Sequence, residues 1–470
     1  LDRVWGSIFS FKGGSFFWKL PSAFMRRVTV SFGRALPSSS RIQQVRAAVM
    51  ELGSEAVKYR RSYDDCLHLR FIKAAKSRLN APCMADDTGV VMTWGKAANL
   101  SLAASGPLKR ALHNQEMVGI LAEPGAYAAI ANIAAHTAGK IPVNISTSAS
   151  ESAIASIREQ CGISTIITTR PWAAKAKREG KPGYVCIEDV IAEAGALGRF
   201  LARLAAWAFS YRAIAAIYCK GKTDPFALAT IIFTGYHEGE PRGVRLTHHN
   251  VLSNIEGFSQ LFNMSGKDAL LSALPFYHSF GYTVGLWYPL INGLTARYCS
   301  SEANVKAATV FASAPGAAML IGTPSFYLSL SKDAPPEALS TIRYAVTGGV
   351  RLSETTARIF RNRFGKPLLE GYGSTEIGPV LSVNVPDVEE KGIRQTGKVE
   401  GTVGHPIPGI TVKVVSPESG EELQSGMEGV LLVKGPSVSD GYWKNPEKTV
   451  EALHKGWFNT GVIASVGDDG

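Results

Sequence analysis

No uninterrupted apolar run in this 470-residue chain reaches the roughly 18 residues of a membrane-spanning helix, so no span is expected within it. Paired cysteines are also missing. The six that occur (Cys66, Cys83, Cys161, Cys186, Cys219, Cys299) are scattered without a C-x-x-C pair, which argues against a disulfide framework and fits unpaired thiols in a reducing compartment. Zinc-ligand spacing, an RNP-type aromatic motif and a basic block are absent, so nucleic acid is not an expected partner. There is no internal repeat or low-complexity tract. Leu1 opens the chain without a signal-peptide pattern, and the sequence reads as an internal segment of a longer protein.

What is present is a composition able to bury a large core: 45% hydrophobic and 19% charged residues over a length that suggests more than one domain. With 47 glycines and 24 prolines it suits an α/β enzyme rich in loops. Acidic residues are outnumbered, giving a net charge of +11 and a pI near 9.3. That balance favours anionic partners: a nucleotide, an acidic carrier protein or an anionic lipid surface.

Along the chain, the alternation at residues 28–32 predicts a strand closed by Gly33 and Pro37, and SSSRIQQVRAAVMELGSEAVKYRR predicts a Ser-capped helix. From Asp86 onward, apolar strands alternate with helices. MVGILAE, KIPVNI, STIITT and YVCIEDV read as buried strands, and AYAAIANIAAHTAG as a packed helix, the organisation of a doubly wound α/β domain. Residues 196–218 differ: they form one apolar, aromatic helix carrying Arg199, Arg203 and Arg212. Two placements fit it, on a membrane surface or as a partly buried connection. After Gly401, Pro, Gly and Asn punctuate short strands, as in a small β-rich subdomain.

Three segments carry candidate chemistry. IIFTGYHEGEPRGVRLTHHN (residues 231–250) and EGYGSTEIGP (370–379) each join an apolar run to Gly-rich turns whose backbone N–H groups suit phosphate. LPFYHSFG (274–281) sets His278 among aromatics, where a histidine is as readily a core residue as a functional one.

Together these segments resemble the adenylate-forming superfamily of acyl-CoA synthetases, acyl-carrier-protein synthetases and luciferases, and the resemblance covers nearly all of residues 82–470. It implies ATP-dependent activation of a carboxylate as an acyl-adenylate, followed by transfer to a thiol. The implied fold is a large α/β domain of stacked subdomains (82–400) with a small β-rich subdomain (401–470). A mobile C-terminal domain is expected beyond Gly470.

In the family's phosphate loop, Thr234, Gly239, Pro241 and Gly243 fit the register. Gly235, Tyr236 and His237 depart from it, and Arg242 replaces a lysine. A side chain at the Tyr236 position penalises left-handed backbone and blocks close approach to phosphate. The guanidinium of Arg242 keeps the charge with a different shape. Resemblance assigns Tyr372 and Gly373 to the adenine side, Thr375 to a phosphate oxygen and Glu376 to Mg2+. Gly348 and Gly349 fall at the turn approaching adenine, and His278 lies near the reacting carboxylate. The candidate catalytic set is thus Arg242, His278, Thr375 and Glu376. Val462 stands where the family holds the ribose hydroxyls with Asp, a loss of about 1.5–3 kcal/mol in nucleotide binding.

Residues 1–60 resemble the tail of a glycerophospholipid acyltransferase domain through VTVSFGRALP, with 61–81 as linker. None of the nine histidines has Asp five positions later, so that domain's catalytic H-x4-D pair is not in this chain. The order of parts resembles the bacterial bifunctional branch that loads long-chain fatty acid on acyl carrier protein and reacylates lysophospholipid at the cytoplasmic side of the inner membrane. Two alternatives stay open: a conventional acyl-CoA synthetase using CoA, and a degenerate relative that binds without turnover.

Overall fold

The buried runs of the sequence become the strands of two sheets, one parallel at its centre and one parallel throughout. In the computed structural model, residues 29–62, 65–219, 223–235, 241–390 and 393–470 are described. Their chain divides into two compact units. One gathers residues up to Arg61 with Gly409–Val438 and Ala452–Gly470; the other holds Ser62–Pro408 and Ser439–Glu451.

In the larger unit a nine-stranded sheet runs from His405–Pro406 through Val380–Val383, Leu369–Gly373, Tyr344–Thr347, Ala317–Gly322, Ala269–Ser272, Thr295–Tyr298 and Pro82–Asp86 to Val91–Thr93. Its central pairs are parallel and its outer pairs antiparallel. Strands buried on both faces need no polar alternation, which is why Ala317–Gly322 is buried throughout. The helices Val305–Ser313, Pro324–Asp333 and Glu354–Phe364 supply Ala308, Phe326, Tyr327 and Phe360 to the core on this sheet. Tyr327 Oη lies 2.7 Å from Leu320 O and 3.0 Å from Val346 O, so its polar end is satisfied while it ties two strands together.

A second, all-parallel sheet is ordered Ile141–Asn144, Met117–Ile120, Ile166–Thr168, Tyr184–Cys186, the four strands expected from the sequence. The Ala126–Thr137 helix follows as expected.

Several expectations are corrected. Residues 61–81 are not simply a linker: they contain the helix Leu67–Lys76, whose Leu67, Leu69, Phe71 and Ile72 are buried. The helix of residues 196–218 is two, Gly195–Ala208 and Tyr211–Tyr218. The break falls where Ser210 Oγ accepts from Ala213 N–H and restarts the helix. Of the strand expected at 28–32, Val28 lies outside the described residues, and Thr29 makes only a bridge with no strand after it. The Ile42–Ala56 helix forms, but its start is served by Gln44 Oε1 accepting from Arg41 N–H rather than by a Ser cap.

That helix and the C-terminal β-rich residues, expected as separate domains, share the smaller unit. Its antiparallel sheet is ordered Thr411–Val415, Gly429–Lys434, Trp457–Ala464, Leu453–His454. Lys434 Nζ joins the two parts, 2.7 Å from Glu51 and 2.8 Å from Glu55.

One core feature of the larger unit was invisible in sequence spacing. His68, His136 and His248, from three helices, are all buried with ring nitrogens within 4.8 Å of one another. Their polar contacts are weak: His248 Nδ1 accepts from Leu67 N–H at 3.4 Å, and His136 Nε2 lies 3.3 Å from Tyr282 Oη. Nε2 of His68 lies 3.4 Å from Cys219 Sγ, and its Nδ1 has no partner among the described residues. Burial pushes the His68 pKa down to about 4 and that of His248 to about 3, and lowers that of His136 too, so the rings are neutral at physiological pH.

Candidate active site

The parallel strands Tyr344–Thr347 and Leu369–Gly373 end side by side, and beyond their carboxyl ends lies a cleft of about 270 Å3. Open α/β sheets place ligands at this edge, because loops there diverge and leave a crevice. Four segments line it: Val346–Gly349, His278–Phe280, Gly371–Glu376 and Thr234, closed by Phe258, Pro379, Val380 and Val383.

The EGYGSTE motif owes its glycines to packing as much as to a ligand. Leu369–Gly373 pairs antiparallel with Val380–Val383, and a Cβ on Gly373 would lie 1.8 Å from Pro379 O. Only glycine lets the returning strand approach so closely. The tight turn Thr375–Ile377 then turns Glu376 toward the cleft. Gly349, at φ +90°, occupies the left-handed region that glycine tolerates without strain.

The polar groups of the cleft are unevenly satisfied. Thr375 Oγ1 donates to Ser279 Oγ at 3.2 Å. Oε1 of Glu376 accepts from Tyr442 Oη at 2.9 Å, while its Oε2 has no hydrogen-bond partner among the described residues. Thr347 Oγ1 and Ser374 Oγ are buried, line the cleft and have no partner among the described residues. Orphaned hydroxyls of this kind cost about 1–3 kcal/mol each. Two in one cleft beside a carboxylate fit a site completed by a polar, anionic ligand with a hard cation. Glu376 is the residue able to hold that cation.

His278 lines the cleft as an exposed residue, yet desolvation by the protein around its ring lowers its pKa and keeps it neutral. Its Nδ1 accepts from Phe280 N–H at 3.3 Å. Tyr442 was not singled out from sequence; it arrives from GYWKNP, 66 residues after Glu376. Burial, then the Glu376 carboxylate, raise the pKa of its phenol, so it stays a donor. Ser439 N–H donates to Glu376 O at 2.7 Å, so the same segment holds both backbone and side chain of Glu376.

Thr234, His278, Gly348, Gly349, Tyr372, Gly373, Thr375 and Glu376 are therefore brought together. The remaining candidates are placed differently. The phosphate-loop segment does not lead from strand to helix. Leu228–Thr234 and Arg242–Thr247 form an antiparallel hairpin, and the His248–Ser259 helix starts after it, capped by Thr247. Gly239, with Tyr236 and His237, lies outside the described residues. Gly243 is a packing residue, since a Cβ there would lie 2.6 Å from Ile231 Cγ2. Arg242, cross-strand from Thr234, is exposed and does not line the cleft, although its charge acts on Tyr442. Val462 sits exposed on Trp457–Ala464 of the smaller unit.

Comparison with known proteins agrees with this architecture. A family model described as AMP-binding enzyme matches residues 71–443. The chain is 30% identical over 259 residues to a long-chain-fatty-acid–CoA ligase of Escherichia coli O6:H1, spanning 54% of this chain and 44% of that protein. It is 29% identical over 299 residues to the mitochondrial medium-chain acyl-CoA ligase ACSF2 of Rattus norvegicus, spanning 62% of this chain and 45% of that one. The chain thus spans less than half the length of these curated relatives. Among solved structures it resembles apo MatB from Rhodopseudomonas palustris, with a TM-score of 0.70 at 23% identity over 86% of this chain and 77% of that one, a likeness of fold.

Proposed function

The chain belongs to the AMP-binding enzyme family, and from that premise we propose that it forms the nucleotide-handling part of a fatty acid–thiol ligase. A fatty carboxylate attacks the α-phosphorus of ATP; a C–O–P bond forms, the bond to the bridging oxygen breaks, and pyrophosphate leaves. A thiolate then attacks the acyl carbon and AMP departs, leaving a thioester. The observation that carries this reading is the pair of orphaned hydroxyls, Thr347 Oγ1 and Ser374 Oγ, in one cleft with Glu376.

These hydroxyls and Thr375 bind phosphate oxygens, and Tyr372 offers an aromatic face to the base. Glu376, steadied by Tyr442, holds Mg2+, which when bound neutralises triphosphate charge. His278 need not abstract a proton, since a carboxylic acid is already ionised at neutral pH. It stays neutral and shapes the acyl side of the cleft.

For the acceptor we propose CoA, the thiol named for the curated relatives above. Carrier-protein phosphopantetheine, with the lysophospholipid acylation that would follow, is the competing acceptor, and the experiment separates the two. Calorimetry of ATP·Mg2+ binding is compared for the wild type and Glu376→Ala, then pyrophosphate release with palmitate, then thioester formation on CoA against holo-carrier protein. Binding that is lost in Glu376→Ala supports the site. No binding at millimolar ATP refutes it, and binding without pyrophosphate release leaves a relative that binds without turnover.

A further inference from the structure

We propose that the helices Gly195–Ala208 and Tyr211–Tyr218 dock this chain on the surface of an anionic phospholipid bilayer, independently of the catalytic reading. Leu197, Phe200, Leu201, Leu204 and Trp207 recur at helical spacing, and their exposure ranges from 39% to 72%. The opposite face, Ala202, Ala205 and Ala206, is the one that is buried, where this helix packs on Trp94–Ala111. A helix serving only its own core buries its large apolar residues and exposes its small ones. Here the order is inverted: alanines allow close seating on the protein, and the large side chains form a continuous outward stripe.

The stripe is held rather than loose. Lys76 Nζ donates to Ala206 O at 3.0 Å and Trp207 O at 2.8 Å, closing the end of the helix, and Lys73 Nζ lies 5.5 Å from the centre of the Tyr211 ring. Beside the stripe, a cavity of about 570 Å3 is lined by Phe200, Leu204 and Trp207 and by two cations, Arg203 and Lys96. Neither cation has an ion-pair partner among the described residues. An apolar wall with unpaired cations matches a phospholipid bearing a negative headgroup.

Charge decides between occupants. No carboxylate occurs between Glu193 and Asp224, whereas Arg199 and Arg203 stand on the same helix as the stripe. A second copy docking through the same patch about a two-fold axis would bring Arg199 and Arg203 of both copies together with no carboxylate on that helix to pair them. An anionic bilayer neutralises them while its acyl boundary accepts the stripe. The helix lies in the plane of the interface: no described helix is long and apolar enough to cross a membrane, and its 14 residues span only about 21 Å.

The test is co-sedimentation of the full 470-residue chain with vesicles of phosphatidylglycerol and phosphatidylcholine, against phosphatidylcholine alone. Wild type partitions onto the anionic vesicles, and Leu201→Glu/Trp207→Glu and Arg199→Glu/Arg203→Glu each lower the partition coefficient at least about tenfold. ATP binding is unchanged in both. Should either variant fail to fold, brominated-lipid quenching of wild-type fluorescence, set against Trp207→Phe, reads insertion without a new charge. Equal binding to both vesicle types overturns the proposal. So do variants that bind like wild type, absence of quenching assigned to Trp207, or a dimer in sedimentation velocity that Trp207→Glu disperses.

Discussion

Acid should loosen the larger unit well before its carboxylates titrate, because three histidines are buried uncharged in its core. His68, with a pKa near 4, and His248, with a pKa near 3, stay neutral in the folded chain as pH falls, whereas in the unfolded chain they protonate near 6.5. The unfolded state then binds more protons, so stability is complete above about pH 6.5 and declines as pH drops below it. At pH 5 each of these two rings has forfeited about 2 kcal/mol, roughly 4 kcal/mol together. Burial, and then the charges of His248 and His68, depress His136 in the same direction. For a unit of this size the loss corresponds to a fall in Tm of roughly 4–8 °C between pH 7.5 and 5. Thermal unfolding across that range, with His248→Asn and His68→Gln as comparators, checks the reasoning. Each substitution removes part of the slope. A flat wild-type profile, or variants whose slopes match it, refutes the argument.

Two further outcomes concern the cleft. Thr347→Val removes a buried hydroxyl that has no partner among the described residues, so it raises apo stability by about 1–3 kcal/mol while weakening ATP·Mg2+ binding about 2- to 10-fold. A lower apo Tm or unaltered affinity would contradict that role. Tyr442→Phe deletes the donor to Glu376 and lowers stability by about 1 kcal/mol, discounted because both groups are partly exposed. Since the phenol is held above its ordinary range, the difference in Tm between the two proteins stays constant from pH 7 to about 9 and shrinks above that as the unfolded-state phenol ionises near 10; its disappearance below about pH 9 would show the bond is not formed.

The parallel strands at residues 117–186 were legible because doubly buried strands are written as unbroken apolar runs, and little else in a sequence looks like that. EGYGSTE was legible for a steric reason: Gly373 has no tolerable substitute beneath Pro379 O, so the motif carries its geometry in its composition. The second strand of the phosphate-loop hairpin was not legible. RGVRLT has only Val244 and Thr247 as β-branched residues, and it runs directly into a strong helix start. Helix 67–76 was hidden by Lys73, Lys76 and Arg70 among its apolar positions. Tyr442 and the histidine cluster depend on contacts across long separations, which no local pattern encodes. The orphaned hydroxyls of Thr347 and Ser374 are a property of surroundings alone; any Ser or Thr in the sequence looks the same.

The route of the chain after Pro408 has a consequence for how the molecule is made. The polypeptide leaves the larger unit, builds part of the smaller one as Gly409–Val438, returns as Ser439–Glu451, and departs again. On that brief return it delivers Ser439 and Tyr442 to Glu376. During synthesis at roughly 5–20 residues per second, Glu376 waits several seconds for the phenol that steadies it. The cleft is thus among the last places on this chain to acquire its final shape, and a nascent chain that stalls before Tyr442 carries every motif of EGYGSTE without the partner that fixes its carboxylate.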